Sequence, residues 1–269
     1  MNSEFRIMSY LGKVKKAAYV LGFPIYSLIN PRIGFTVFYR RHKVWYAYTR
    51  GRTIQVRDAA LWTLEYFRQS IPQPGDTVFD VGGELGFETE QFAQLVGPSG
   101  KVYTFECLPD HVARLNEIAK RYPNVTVIER ACWNKTTTIE FSVGRTPGSG
   151  TAVPDARGQV GQVLADPTKT KLVVQAATLD ALWAEYANSV PIDFLKMDIE
   201  GAEYEAIEGA GELLKHTSRV VVAAYHIRDG VRTADRVAEI LARNGFVAAI
   251  HENNHVYAYR KSGLSPQQK

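Results

Sequence analysis

Thr77-Val78-Phe79-Asp80-Val81-Gly82-Gly83-Glu84-Leu85-Gly86 decides how this 269-residue chain is read. A short buried-strand pattern breaks into glycines and runs toward a helix. The next strand pattern, Lys101-Val102-Tyr103-Thr104-Phe105, ends in Glu106. A glycine-rich turn after one strand and a carboxylate at the tip of the next form a constellation suited to an adenosine-bearing ligand. The glycines let the backbone approach the ligand, and the carboxylate accepts hydrogen bonds from both ribose hydroxyls.

Glycine spacing discriminates between such ligands. A dinucleotide fingerprint reads G-x-G-x-x-G and sets a pyrophosphate on a helix N-terminus. Here Gly82, Gly83 and Gly86 follow Asp80, and Glu84 lies inside the turn. A carboxylate aimed at a pyrophosphate repels it, whereas an amino-acid ammonium group welcomes Asp80 and Glu84. The D-x-G-x-x-x-G form, Asp80 to Gly86, resembles motif I of class I S-adenosylmethionine-dependent methyltransferases. Alone, the same stretch is also an ordinary strand–turn–helix of an α/β fold.

Further segments extend the resemblance. D-V-G-G-E-L-G, the tip Phe105-Glu106, Thr178-Leu179-Asp180 and F-L-K-M-D-I-E-G-A-E at 194–203 together resemble the FkbM-type methyltransferase family, over roughly Asp76 to Tyr259. That resemblance implies S-adenosylmethionine as cofactor and O-methylation of hydroxyls on glycans, glycolipids or natural products. The family usually shows D-V-G-A-N at the first turn, where this chain has Gly83 and Glu84. It often shows E-x-H after the fifth strand, where this chain has Ala224-Tyr225-His226.

The alternation of strand and helix patterns predicts an α/β fold, a doubly wound, mostly parallel, seven-stranded Rossmann-like sheet. Strands are expected near 77–81, 101–106, 125–130, 193–198, 219–226, 245–250 and 255–260. Helices are expected near 86–96, 109–121, 179–188, 201–215 and 232–244. Only Glu252-Asn253-Asn254 separates the last two strands, so the final strand runs antiparallel. That reversal distinguishes class I methyltransferases from dinucleotide-binding folds. A further hairpin is expected between Thr136 and Ala176, with a Gly/Pro-rich loop over 144–168 that suits a lid, a binding loop or disorder.

Three regions follow: a basic, aromatic-rich appendage at 1–70, a methyltransferase domain at 71–262 and a tail at 263–269. The first 70 residues hold 12 Lys+Arg against 3 Asp+Glu and 14 of the 30 aromatics, whereas the remaining 199 hold 20 against 25. Ala17–Ile29 is apolar, follows Lys13, Lys15 and Lys16, and is too short to span a bilayer. It suits a helical appendage packed on the catalytic domain or on a second copy, or a peripheral membrane contact with anionic lipid. Phe35–Val56 reads as strands with interleaved basic and aromatic residues, a structural hairpin or substrate wall before a nucleic-acid surface. Ala59–Ser70 reads as a helix. Two cysteines, 45% hydrophobic and 22% charged residues fit a protein of a reducing, cytoplasmic compartment.

Strand tips supply the site, because ligands of open α/β sheets bind beyond the carboxyl ends. Asp80, Gly82, Gly83, Glu84 and Gly86 are expected at the methionine moiety. Glu106 is expected at the ribose, and Cys107, Leu108, Ala131, Cys132 and Trp133 around adenine. Trp133 is equally compatible with a core position, and for both cysteines a buried, inert thiol is the commoner outcome. Asp198 is expected beside the methyl-transfer centre, with Glu200 in the following turn. Methyl transfer from a sulfonium needs in-line approach and removal of the nucleophile's proton, and a histidine poised near neutrality suits the second task. His226 is therefore expected as general base. Asp198 with Glu200 or His226 alternatively suits a Mg²⁺ that binds a diol. Other readings are a methyltransferase for amines or RNA, or a non-catalytic cofactor-binding protein. A nicotinamide oxidoreductase is disfavoured by the glycine spacing and the final hairpin.

Overall fold

The computed structural model describes residues 25–29, 36–41, 44–49, 52–56, 65–67, 69–143, 170–228, 230–251 and 254–260. The chain divides into two units, Met1–Ile71 and Pro72–Lys269. In the first, β1 (Ile25–Ile29), β2 (Thr36–Arg41), β3 (Val44–Thr49) and β4 (Arg52–Val56) form an antiparallel meander in that order. Ile25–Ile29 is thus a strand, correcting the helical reading of that part of the apolar run. Pro24 disfavours a continuous helix there, and Leu28 and Ile29 pair with Val37 and Thr36. The helix expected over Ala59–Ser70 lies mostly outside the described residues, as do residues 1–24.

The second unit opens with β5 (Thr77–Val81), α1 (Phe87–Val96), β6 (Lys101–Glu106), α2 (Pro109–Arg121) and β7 (Val125–Glu129). It continues through β8 (Ala131–Cys132), β9 (Thr137–Val143), β10 (Thr170–Ala177), α3 (Leu179–Ala187) and β11 (Ile192–Met197). Then come α4 (Glu203–Glu208), α5 (Gly211–Lys215), β12 (Thr217–Ala223), β13 (Ile227–Arg228) and β14 (Val231–Arg232). It closes with α6 (Thr233–Arg243), β15 (Val247–Ile250) and β16 (His255–Tyr259).

Seven strands form one sheet in the order β15-β16-β12-β11-β5-β6-β7, and β16 runs antiparallel to both neighbours. The chain order reverses between β5 and β11, which places a crevice at their carboxyl ends. Alternation along each strand sorts side chains between the faces. Phe79, Val81, Phe105, Leu195, Met197, Val220 and Val222 enter a core with Leu179, Leu182, Leu213, Val237 and Leu241 of α3, α5 and α6. Val78, Phe194 and Val102 point the other way, where Phe92 of α1 meets Phe194 with ring centroids 5.7 Å apart.

The helix expected over 201–215 is two helices broken at Gly209–Ala210. Gly209 lies against the Trp133 carbonyl, so closely that a Cβ there would collide with it. The second helix is then capped from outside: Asp180 accepts from the amides of Glu212 (3.1 Å) and Leu213 (2.7 Å). The extra hairpin is present as β9 and β10, fully paired from Thr137↔Ala176 to Val143↔Thr170, with β8 parallel beside β10. The loop expected over 144–168 lies outside the described residues. Among the described residues, no helix is long and apolar enough to cross a membrane.

Candidate active site

Register across three strands builds the floor of the glycine turn. Lys196, Asp80 and Thr104 are direct neighbours on β11, β5 and β6, all on the α1 face. Asp80 is fully buried and accepts from the Thr89 hydroxyl at 2.5 Å. Lys196 Nζ lies 3.1 Å from Asp80 Oδ1 and donates to the Gly82 carbonyl at 2.6 Å. Burial opposes the Lys196 charge, yet Asp80 and Glu88 hold its pKa above the ordinary value. Asp80 therefore supports the turn through Lys196 instead of presenting its carboxylate at the methionine end.

Above that floor, Gly82 (φ 86°) lies against the Asp198 carbonyl, where a Cβ would collide. This contact brings the turns after β5 and β11 together. Gly83 is equally tight against the Thr104 hydroxyl and Leu115, so the turn sits low on α2. Glu84 follows in left-handed conformation (φ 45°). Its carboxyl pKa is raised, first by burial and then by repulsion from Asp198.

Glu106 sits at the β6 tip with its carboxylate held by the main chain. Oε1 accepts from the amides of Cys107 (2.7 Å) and Leu108 (2.9 Å), and Oε2 from that of Glu84 (2.9 Å). His111 Nδ1, on the first turn of α2, lies 3.6 Å from Oε2. Burial pushes the Glu106 pKa up, but His111 and the Leu108 and Cys107 amides outweigh it and hold the group ionised. The Cys107 thiol is raised by burial and by Glu106, which makes it inert.

The third tip contributes less than expected. Cys132 belongs to the apolar core, and burial pushes its thiol well above the ordinary range. The Trp133 amide donates to the Ala177 carbonyl (2.9 Å), and Trp133 packs on Ala202 beside the turn after β11, as does Ile199. Ala131 pairs with Ala176.

The tips of β11 and β12 hold a charged network. The Tyr225 phenol donates toward Asp198 Oδ1 (3.3 Å) and reaches Glu200 Oε1 at 3.5 Å. The His226 ring stacks beside Tyr225, with centroids 4.4 Å apart. Its Nε2 lies 3.2 Å from Glu200 Oε2 and its Nδ1 3.4 Å from Glu203 Oε1. Burial favours the neutral ring, but Glu200 and Glu203 outweigh it and push the His226 pKa up to about 10. An imidazolium has no lone pair for a proton, so this geometry replaces the expected general base with a clamp. The same geometry fits a metal ligand poorly, because both ring nitrogens face carboxylates and a ligating imidazole must be neutral. Among the described residues, no group of three or more His, Cys, Asp or Glu has metal-holding geometry.

Five residues outside the sequence-derived set thus enter the site: Lys196, Glu88, His111, Glu203 and Tyr225. Lys196 carried a readable signal, because a lysine inside a buried strand requires a partner. His111 lies five positions beyond Glu106, and only the turn into α2 brings it back. Burial first, with Asp80 and Asp198, raises the Glu88 carboxyl to about 7, while Lys196 works in the opposite direction. Glu200 is raised by burial and by Asp198, with His226 opposing.

Burial first, with repulsion from neighbouring carboxylates adding to it, raises the carboxyls of Glu84, Glu88 and Glu200. The sulfonium and ammonium of S-adenosylmethionine suit such a cluster of acids, and Glu106 suits its ribose. The strand order with one reversed strand and this acidic crevice define a class I S-adenosylmethionine-dependent methyltransferase.

Within that class, residues 80–248 match the methyltransferase FkbM domain, and the chain belongs to that family. The 2-O-methyltransferase NoeI of Sinorhizobium fredii is 27% identical over 155 residues, covering 55% of this chain and 62% of that protein. A protein-L-isoaspartate O-methyltransferase of Methanothrix thermoacetophila is 46% identical over 56 residues, 20% of this chain and 27% of its own length. Among solved structures, an FkbM methyltransferase of Methylobacillus flagellatus aligns with a TM-score of 0.48 at 18% identity, covering 72% of this chain and 46% of that one. Aeropyrum pernix fibrillarin with bound S-adenosyl-L-methionine aligns at 0.49 and 12% identity, covering 87% and 98%.

Proposed function

We propose that this methyltransferase acts on a hydroxyl of a glycan, glycolipid or natural product. The supporting observation is the carboxylate pair Asp198–Glu200, held by a phenol and an imidazolium where β11 and β12 end. When bound, S-adenosylmethionine supplies an electrophilic methyl group on a sulfonium. Glu106 fixes its ribose, and the glycine turn takes its methionine end. The leaving thioether is neutral, so no group of the chain needs to protonate it.

The acceptor hydroxyl must lose a proton as it attacks, and Asp198 and Glu200 are the bases in place. Burial first, with repulsion from Asp198, raises the Glu200 carboxyl and makes it a stronger base than an ordinary glutamate. Tyr225, whose pKa is raised by burial and the Asp198 charge, stays a phenol and orients the pair as donor. His226 fixes Glu200 against Glu203. Holding the hydroxyl in near-attack geometry then supplies much of the rate. The likeness to a 2-O-methyltransferase supports oxygen as the nucleophile.

The test is transfer of labelled methyl from S-adenosylmethionine to panels of oligosaccharide, glycolipid, phenolic, amine and RNA acceptors. Methylated hydroxyls are expected, with Asp198→Asn lowering kcat by about 10²–10⁴ at unchanged S-adenosylhomocysteine affinity. Transfer confined to amines or RNA, or an Asp198→Asn variant at wild-type rate, would sink the reading.

A further inference from the structure

Tyr225 and His226 run directly into β13, which turns back into β14 as a hairpin with only two paired positions, Ile227↔Arg232 and Arg228↔Val231. A two-stranded hairpin of that size is unstable by itself in water. This one is braced. At its base the His226 carbonyl accepts from the Thr233 amide (2.9 Å) and hydroxyl (3.2 Å). Arg228 Nη1 donates to the Gly201 carbonyl (3.1 Å) and to both carboxylate oxygens of Glu205 (2.7 Å each). The Arg228 guanidinium also lies 4.1 Å from the centre of the Tyr204 ring. Yet Ile227 and Val231 stay 45% and 56% exposed, so the bracing holds two apolar side chains in the open instead of burying them.

The two lie on opposite faces. Directly paired residues share a face, so Val231 goes with Arg228 and Ile227 with Arg232. His226 and Arg228 both turn toward α4, where they meet Glu203 and Glu205. Alternation puts Ile227 on the other side with Tyr225, whose phenol meets Asp198 and Glu200. Ile227 is flanked on one side by His226, which contacts Glu200, and on the other by Arg228, which is tied to Gly201. We propose that Ile227 determines acceptor specificity by packing against an alkyl or aryl group that the acceptor carries beside the methylated hydroxyl. The inference rests on the reading that Asp198 and Glu200 receive a hydroxyl, and it narrows that reading to acceptors with an apolar substituent. Such a group displaces water from Ile227 as it binds, and affinity grows with the apolar area covered. A wholly polar oligosaccharide gains nothing at that position. Val231, equally apolar but on the far face, is the control.

Calorimetric titration of the full chain, saturated with S-adenosylhomocysteine, with methyl, octyl and phenyl glucoside tests this. Octyl and phenyl glucoside should bind roughly tenfold or more tightly than methyl glucoside, as an apolar contact in a specificity pocket provides. Ile227→Asp should cut that preference to within about threefold, while Ile227→Leu keeps it and Val231→Asp leaves it unchanged. Both positions are exposed, so all three variants should melt close to wild type. If Ile227→Asp does not fold, Ile227→Ser takes its place. A wild-type chain that shows no preference, or that binds none of the three glucosides, would overturn the proposal. So would a preference that survives Ile227→Asp, or one lost equally in Val231→Asp, which is the mark of nonspecific adsorption. Failure of the underlying hydroxyl reading is seen separately, as methyl transfer confined to amines or RNA.

Discussion

Two turns at the carboxyl edge of the sheet each carry a glutamate at positive φ, Glu84 (45°) after β5 and Glu200 (55°) after β11. A left-handed conformation costs a non-glycine residue on the order of 1–2 kcal/mol, so both positions store strain. What the strain supports differs. At Glu84 the useful group is the main-chain amide, which donates to Glu106, while its carboxyl is half-buried beside Asp198. At Glu200 the useful group is the carboxylate, which meets His226 and Tyr225. One turn is thus a backbone device and the other a side-chain device. Substitutions that preserve the backbone should be tolerated at the first and not at the second.

The largest expected effect tests the side-chain turn. Glu200→Gln removes a carboxylate that burial makes more basic than usual, and half of the His226 clamp. Turnover should fall by about 10²-fold or more with S-adenosylhomocysteine affinity within a few-fold of wild type. Wild-type turnover would show that Glu200 is strained for some purpose other than chemistry.

Next comes the clamp itself. His226 is raised in the folded protein to about 10 from an ordinary value of 6.5. Its charge therefore contributes stability that is fully present below pH 6.5 and lost as pH rises through about 10. His226→Gln should lose on the order of 2–4 kcal/mol at pH 7, because Glu200 and Glu203 are left without their cation. Denaturant titrations at pH 7 and pH 10 should show that deficit narrowing at the higher pH. A deficit independent of pH would mean that packing, not charge, is what His226 supplies.

Glu88 provides a smaller effect of the same sign. An acid raised from 4.5 to about 7 in the fold costs stability as pH climbs through that interval. Glu88→Gln should raise the melting temperature at pH 8 relative to wild type and change it little at pH 4.5. S-adenosylhomocysteine carries an ammonium group, so its binding should draw the proton off Glu88 and be accompanied by proton release.

Smallest is the backbone turn. Glu84→Gly relieves the left-handed strain and removes a carboxyl that repels Asp198, while the amide to Glu106 remains. Stability should rise by about 1 kcal/mol, and S-adenosylhomocysteine affinity should hold within about threefold. A large affinity loss would show that the Glu84 carboxylate, not its amide, serves the cofactor.

Much of this was legible along the chain because it is local. Periodicity placed β5, β6, β11, β12 and β16 and the helices α1, α2, α3 and α6 to within a few residues, and Glu252-Asn253-Asn254 forced the final hairpin. The break at Gly209–Ala210 escaped, since its cause is the Trp133 carbonyl far away in sequence. The apolar run ending at Ile29 escaped for a similar reason: a strand needs a partner, and β2 is not visible from the run itself.

The chain's own order of residues determined the fold class, the acidic β6 tip, the glycine turn and the presence of Asp198, Glu200 and His226 at one edge. These follow from short-range pattern, which the backbone must obey wherever it goes. Tertiary structure decided the protonation of those groups and hence their tasks. Asp80 became a support because register set Lys196 beside it, and Glu106 became rigid because three amides converge on it. His226 became a cation because α4 delivered Glu203 to its second nitrogen. A side chain's pKa is set by its whole surroundings, by burial and by charges several residues or strands away, so sequence supplied the identity of each group and only packing supplied its charge.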